Sequence, residues 1–194
     1  MTPLEKRNCG PCKACCVALK IDLPELRKKA GTPCPHLAGT GCGIYAARPD
    51  LCRQFLCGWR LEGELGDDWR PDRCGVIVMQ KGANELPLAW AATAPYGVLL
   101  VISGGEAAIR RVALAEYAAH LIARGIPVYL GVVAPTILVN EHLDGTEDVP
   151  ALRQRLLELY ALLEGARWGF LRKIAFLYRL QLDRARHLLL KGDK

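Results

Sequence analysis

The sequence has no long apolar run. Its apolar runs, such as Gly97 to Ser103, fall far short of the roughly 20 residues that a membrane-spanning helix needs. Internal repeats and low-complexity tracts are also missing. The opening residues MTPLEKRNCG lack the apolar segment and small-residue cleavage site of a secretory signal, so a cytoplasmic protein is expected. In that reducing compartment most cysteines stay unpaired, which argues against a disulfide framework. No Ser–His–Asp set, Cys–His dyad or paired-carboxylate motif is present. The segment LLVISGGEAAI runs from strand to helix through two glycines, yet it has neither G-x-G-x-x-G nor a P-loop lysine. It reads as a tight capped turn, not a phosphate cradle.

What the chain does have is sulfur. Of its nine cysteines, eight lie between Cys9 and Cys57, the last is Cys74, and none follows. This shift marks a thiol-rich module over 1–74, an apolar body over 75–150 and a basic helical segment over 151–194, together forming one compact unit. With 194 residues, 51% of them hydrophobic, the chain is long and apolar enough to bury a core. Within the module, LPELRKKAG predicts a short helix from Pro24 that stops at Gly31. The remainder, such as TPCPHLAGTGCG, is rich in Gly and Pro and has little apolar area to bury. Such a segment needs another source of order. Bound metal supplies one, because its binding free energy becomes folding free energy.

The spacing of the thiols suits that role. C-G-P-C-K-A-C gives two C-x-x-C turns that share Cys12. A turn of this kind curls two sulfurs around an ion and aims backbone N–H groups at them, which favours thiolates. Cys15 and Cys16 are adjacent, and on an extended backbone they point to opposite sides. Either one of them is not a ligand, or the cluster holds two centres or a polynuclear one; the latter pair is favoured. Cys34, Cys42, Cys52 and Cys57 join Cys9, Cys12, Cys15 and Cys16 as candidate ligands, enough for two four-thiolate sites. Residues 1–60 carry ten Lys and Arg against four Asp and Glu. Lys13, Arg48, Arg53 and Arg60 are placed to offset thiolate charge. His36 follows Cys34 closely enough to replace a thiolate, although a histidine there more often packs or hydrogen-bonds. His120, His142 and His187 show no metal spacing. Cys74 reads as a buried inert thiol, with a ninth ligand or redox-active thiol as the alternative.

C-x-x-C-x-x-C-C, followed by CPHL, GCGIY, RPDLCRQF and a further cysteine, resembles the YkgJ-type cysteine-cluster family over residues 9–60. These are bacterial proteins described as zinc- or iron-chelating and sometimes as iron–sulfur oxidoreductases. The resemblance implies metal binding by the eight cysteines from Cys9 to Cys57 and leaves the metal open. Beyond Cys57 it thins to RPDRCGVIV and the apolar body. The later thiols run C-x7-C-x9-C-x4-C, without the second knuckle of a zinc ribbon. Thiols at even two-residue intervals also open the bacterial ferredoxin run, although its C-x-x-x-C-P continuation is missing. Thiolates suit zinc and iron–sulfur clusters alike, and the intervals lean to iron–sulfur. Two functions follow: electron transfer or an oxidoreductase reaction with a redox or protein partner, or a non-catalytic zinc-binding structural or interaction module. Tyr45, Arg48 and Pro49 would orient the loops around the ligands.

In the body, residues 75–80, 97–103 and 126–133 are β-branched runs that predict buried strands, and 136–140 suggests a fourth. Residues 86–94 predict a short helix and 103–125 a longer one. Ser103 and Glu106 suit a capping box there, and Gly125 and Pro127 suit its end. Val112, Ala115, Ala119 and Ile122 are the expected apolar stripe. Residues 151–190 predict helix with a bend over 165–170. Trp168, Phe170, Leu171, Ile174, Phe176, Leu177 and Tyr178 would dock on the body or pair two copies as a homodimer. The basic charges there are interleaved with apolar residues, which argues against nucleic acid. The expected fold class is α+β: a loop-rich, metal-bound cysteine module on a small mixed α/β body, with a C-terminal helical segment.

Overall fold

The computed structural model describes residues 7–39, 41–132, 135–145 and 148–166, with Tyr178, Gln181 and Leu182. The module begins with a single helical turn, α1 (Ala14–Ala18). Two small antiparallel hairpins follow: β1 (Ile21–Leu23) with β2 (Leu26–Lys28), and β3 (Leu37–Ala38) with β4 (Gly41–Cys42). The first hairpin replaces the helix expected from Pro24. Pro24 and Glu25 form its connection, Ile21, Leu26 and Lys28 turn inward, and Asp22 and Arg27 stay exposed. That period of two is a strand's, not a helix's. Buried Lys28 decides the matter: its Nζ donates to the carbonyls of Val17 (3.1 Å), Leu19 and Lys29 (3.2 Å) and so closes the chain around α1. Three more short helices complete the module: α2 (Asp50–Gln54), α3 (Gly58–Leu61) and α4 (Pro71–Cys74).

The body runs β5 (Val76–Gly82), α5 (Leu88–Ala91), β6 (Tyr96–Ile102), α6 (Gly105–Ile109), α7 (Val112–Ala123), β7 (Val128–Gly131), β8 (Thr136–Leu138) and α8 (Val149–Ala166). Its strands form one sheet in the order β5-β6-β7-β8. The outer pairs are antiparallel, and the central pair is parallel because α6 and α7 carry the chain across. Helices with a mixed sheet make this an α+β fold, as the pattern predicted. All four expected strands are present, with tighter limits at β7 and β8; a 3-10 turn takes over at Val139–His142. The short helix expected over 86–94 is confined to α5.

The long helix expected over 103–125 is broken into α6 and α7. Ser103 does not cap it. Its Oγ donates to the carbonyl of Gly75 at 3.1 Å, and Glu106 accepts from Arg110 instead. A backbone crossing ahead of α6 holds Ser103 there, since the N–H groups of Ser103 and Gly104 also bond to the Gly75 carbonyl. Gly75 has φ +70°, and a Cβ there would lie 2.6 Å from the Cα of Gly104. The buried stripe of α7 is Leu114, Ala115, Ala118 and Leu121, while Val112 is 49% exposed. Periodicity missed this offset because the segment is apolar on most sides. The helix expected over 151–190 is described as far as Ala166; the bend and the docking of the residues beyond it lie outside the described residues.

Side chains on the strands alternate between two covered faces. Val76, Val78, Leu100, Ile102 and Leu130 join Leu114, Leu121, Leu156 and Leu159 of the helices in the main core. Ile77, Met79, Leu99 and Val101 point the other way, against Ala14, Ala18, Leu19 and Phe55 of the module. Each full burial of a side chain of this size is worth roughly 1.5–3 kcal/mol. The helical side is rich in them and also takes in Trp59, Leu65 and Trp69 of the module, while the stretch up to Cys57 contributes few. Among the described residues no helix is long and apolar enough to cross a membrane.

Gly75→Ala is expected to cost roughly 2–4 kcal/mol, from left-handed strain plus overpacking at the crossing. Gly125 also has positive φ but open space around it, so Gly125→Ala is expected to cost about 1 kcal/mol. Denaturant titration of both variants measures the difference, and equal losses would show that the crossing imposes no constraint.

A candidate metal centre between module and sheet

Separate stretches of backbone bring the sulfurs together. The N–H of Cys12 bonds to the carbonyl of Cys9 at 2.9 Å, closing the first C-x-x-C turn. Cys15 and Cys16 are consecutive on α1 rather than on an extended backbone. Neighbours on a helix leave the axis about 100° apart, yet the two thiols stay close enough to share a hydrogen bond. The N–H of Cys34 bonds to the carbonyl of Cys16 at 3.0 Å, that of Leu37 to Cys34 at 2.9 Å, and Leu37 pairs with Cys42 across β3 and β4. Pro49 precedes α2, where the N–H of Cys52 bonds to its carbonyl at 2.9 Å.

Cys57 stands at the start of α3, and the N–H of Arg60 bonds to its carbonyl at 2.8 Å. Arg7 ties this helix to the chain just before Cys9. Its guanidinium donates to the carbonyls of Trp59 and Glu62 and lies 5.3 Å from the Trp59 ring centre. Arg60 Nε answers by donating to the carbonyl of Arg7 at 2.9 Å.

All eight thiols from Cys9 to Cys57 line one cavity of about 500 Å³, walled on the body side by Ile77, Met79, Leu99 and Val101. None is in a disulfide. His36, Lys13, Arg48 and Arg60 also line it, whereas Arg53 pairs with Asp50 on the exposed side of α2. Arg48 Nε donates to the carbonyl of Tyr45 at 3.0 Å and its guanidinium lies 3.7 Å from the Tyr45 ring centre, fixing the loop that leads to Pro49. Trp59 lines the same cavity. Its buried Nε1–H has no hydrogen-bond partner among the described residues. Among those residues, too, no three Cys, His, Asp or Glu side chains are arranged as a ready ligand set for one ion.

Cys74 lies apart, 3% exposed in the main core, with its Sγ donating to the carbonyls of Trp69 (3.3 Å) and Val76 (3.2 Å). Burial pushes its thiol up, as expected of an inert cysteine. Of the two remaining described histidines, His120 is exposed beside Arg124 and His142 is buried in the body.

Charge in the cavity is finely divided. Burial raises the thiols of Cys12, Cys52 and Cys57. The charges of Cys9 and Cys12 raise Cys57 further, and those of Cys16, Cys34 and Cys42 raise Cys52. A hydrogen bond between Cys15 and Cys16 holds the Cys15 thiol well above its ordinary range. The same bond, aided by Lys28, Arg48 and Lys13, brings Cys16 down to about 6. Burial lowers the Lys28 ammonium, while Cys34, Cys16 and Cys15 draw it back up. So many sulfurs cannot all ionise here without further positive charge.

Comparison with family models, curated proteins and solved structures yields no match for this chain. The reading of the site rests on its own chemistry. Sequence reasoning singled out the thiols and missed Arg7, Lys28, Trp59 and the sheet wall. Alternating apolarity along β5 and β6 was the available signal for the wall; the others show no pattern until the chain folds.

Iodoacetamide is expected to modify the eight cavity thiols of reduced, chelator-treated native protein while sparing Cys74. Mass spectrometry would then count a ninth adduct only after denaturation. Modification of Cys74 alongside the others would contradict its burial.

Proposed function

We propose that this chain binds metal through the eight cavity thiols, with an iron–sulfur group serving electron transfer or an oxidoreductase reaction. The observation that carries this reading is the convergence of all eight thiols on one cavity. Thiolates are soft ligands that suit iron–sulfur clusters and zinc. Lys13, Lys28, Arg48 and Arg60 supply local positive charge against theirs. The unpartnered indole N–H of Trp59 fits a site that presents sulfur, since hydrogen bonds to sulfur tune such centres.

Size separates the candidates. Zinc draws four sulfurs to about 2.3 Å from a single point. Here the donors surround about 500 Å³, and no three described donors are arranged around one point. A water's share of liquid is about 30 Å³, so the space favours a polynuclear body over bare ions. An iron–sulfur group would supply one-electron redox chemistry when bound. The chain would hold it with thiolates, offset its charge with the lysines and arginines, and exclude water with the sheet face. The resemblance to the YkgJ-type family supports metal binding by these cysteines and leaves the choice of metal open. The second reading is zinc as a structural cross-link in an interaction module. It is favoured by how few apolar side chains the cysteine-bearing stretch up to Cys57 buries: among its described residues, Ala18, Ile21, Leu26 and Cys34.

Anaerobically purified protein is expected to be brown, to absorb near about 400 nm and to release iron and sulfide in acid. A colourless preparation containing zinc selects the second reading. A colourless, metal-free protein that stays fully folded in chelator overturns both.

A further inference from the structure

The eight thiols are wired into the fold as two sets. Three of one set are linked by backbone bonds: Cys16 receives the N–H of Cys34, Cys34 receives that of Leu37, and Leu37 pairs with Cys42. Cys52 joins them by packing, since Cys16, Cys34 and Cys52 share the apolar cluster of Ile21 and Leu26. The other set is assembled differently. Cys9 and Cys12 close one turn, and the Arg7–Arg60 exchange brings that turn to the helix that follows Cys57. Cys15 and Cys57 pack in a second apolar cluster, around Ala18, Ile77 and Val101 on the sheet. The helical turn α1 lies between the sets, because its consecutive Cys15 and Cys16 belong to different clusters.

We infer, on the metal-binding reading above, that the cavity holds two four-thiolate sites: Cys9, Cys12, Cys15 and Cys57 against the sheet, and Cys16, Cys34, Cys42 and Cys52 toward the hairpins. An adjacent Cys–Cys pair is then no redundancy. A helical turn sends one thiol to each site, and the short link between them sets the sites side by side. On binding, the thiol protons leave to solvent as the thiolates take the metal.

The test loads reduced full-length chain with zinc and, in an anaerobic parallel, with iron and sulfide. Bound metal is measured, free thiols are alkylated, and adducts are mapped by mass spectrometry. Cys42→Ser is expected to keep about half the metal and to protect Cys9, Cys12, Cys15 and Cys57 together. Cys57→Ser is expected to give the mirror image, and the two substitutions combined to abolish binding. Cys12→Ser added to Cys57→Ser should lose no more than Cys57→Ser alone. In the unaltered chain, partial loading should populate species with four adducts rather than a continuous spread, a readout that stands even where a variant fails to fold. Loss of all metal from either single variant, a protected set mixing the groups, or a continuous spread overturns the partition and leaves metal binding standing. An unaltered chain that takes up neither zinc nor iron overturns the metal-binding reading itself.

Discussion

The sheet has two apolar faces; the long helices α7 and α8 cover one, and on the other, among the described residues, α5 reaches only Tyr129, Leu138 and Leu99. Strand residues facing α7 and α8 are sealed in a dense core, but Ile77, Met79, Leu99 and Val101 require a cover from elsewhere. That cover is the cysteine module, built of single helical turns and two-stranded hairpins with little apolar area of their own. Every feature of the candidate site follows from this mismatch. A segment poor in core residues lies on a face that must stay dry, and its polar and sulfur atoms are turned into the gap between them.

Such a gap is held by directed interactions rather than by bulk burial. Arg7 and Arg60 exchange bonds between the start of the module and α3, and Lys28 gathers three backbone carbonyls around the end of α1. Lys28 and Arg60 serve twice, since each ties backbone while keeping positive charge near the thiols. Burial alone opposes ionisation of the sulfurs. A bound cationic centre is the natural partner for this arrangement, which is why the proposed function and the stability of the module have the same physical basis.

Much of the plan was legible beforehand, for a reason that differs by region. Four strands stood out because β-branched runs bounded by Gly or Pro have few other uses. The hairpin at Pro24 did not, since LPELRKKAG has a helix's composition and only the burial of Lys28 turns it into strands. The helix at 103–125 was misread for a similar reason. Its break lies at Arg111, where the backbone is extended, beside the Arg110 carbonyl that accepts from Arg153 of α8, a residue far away in the chain.

The amino-acid sequence by itself determined the donor set: eight thiols at tight spacings, cations among them, in a segment unable to fold on apolar burial. Spacing also set Cys15 and Cys16 side by side on bonds that leave the backbone in different directions, in strand and helix alike. Only the tertiary structure decided which distant thiols are neighbours, that Cys74 belongs to the core, and that a sheet face closes the cavity. Those outcomes depend on hydrogen bonds and packing between residues widely separated along the chain, and local spacing carries no record of them.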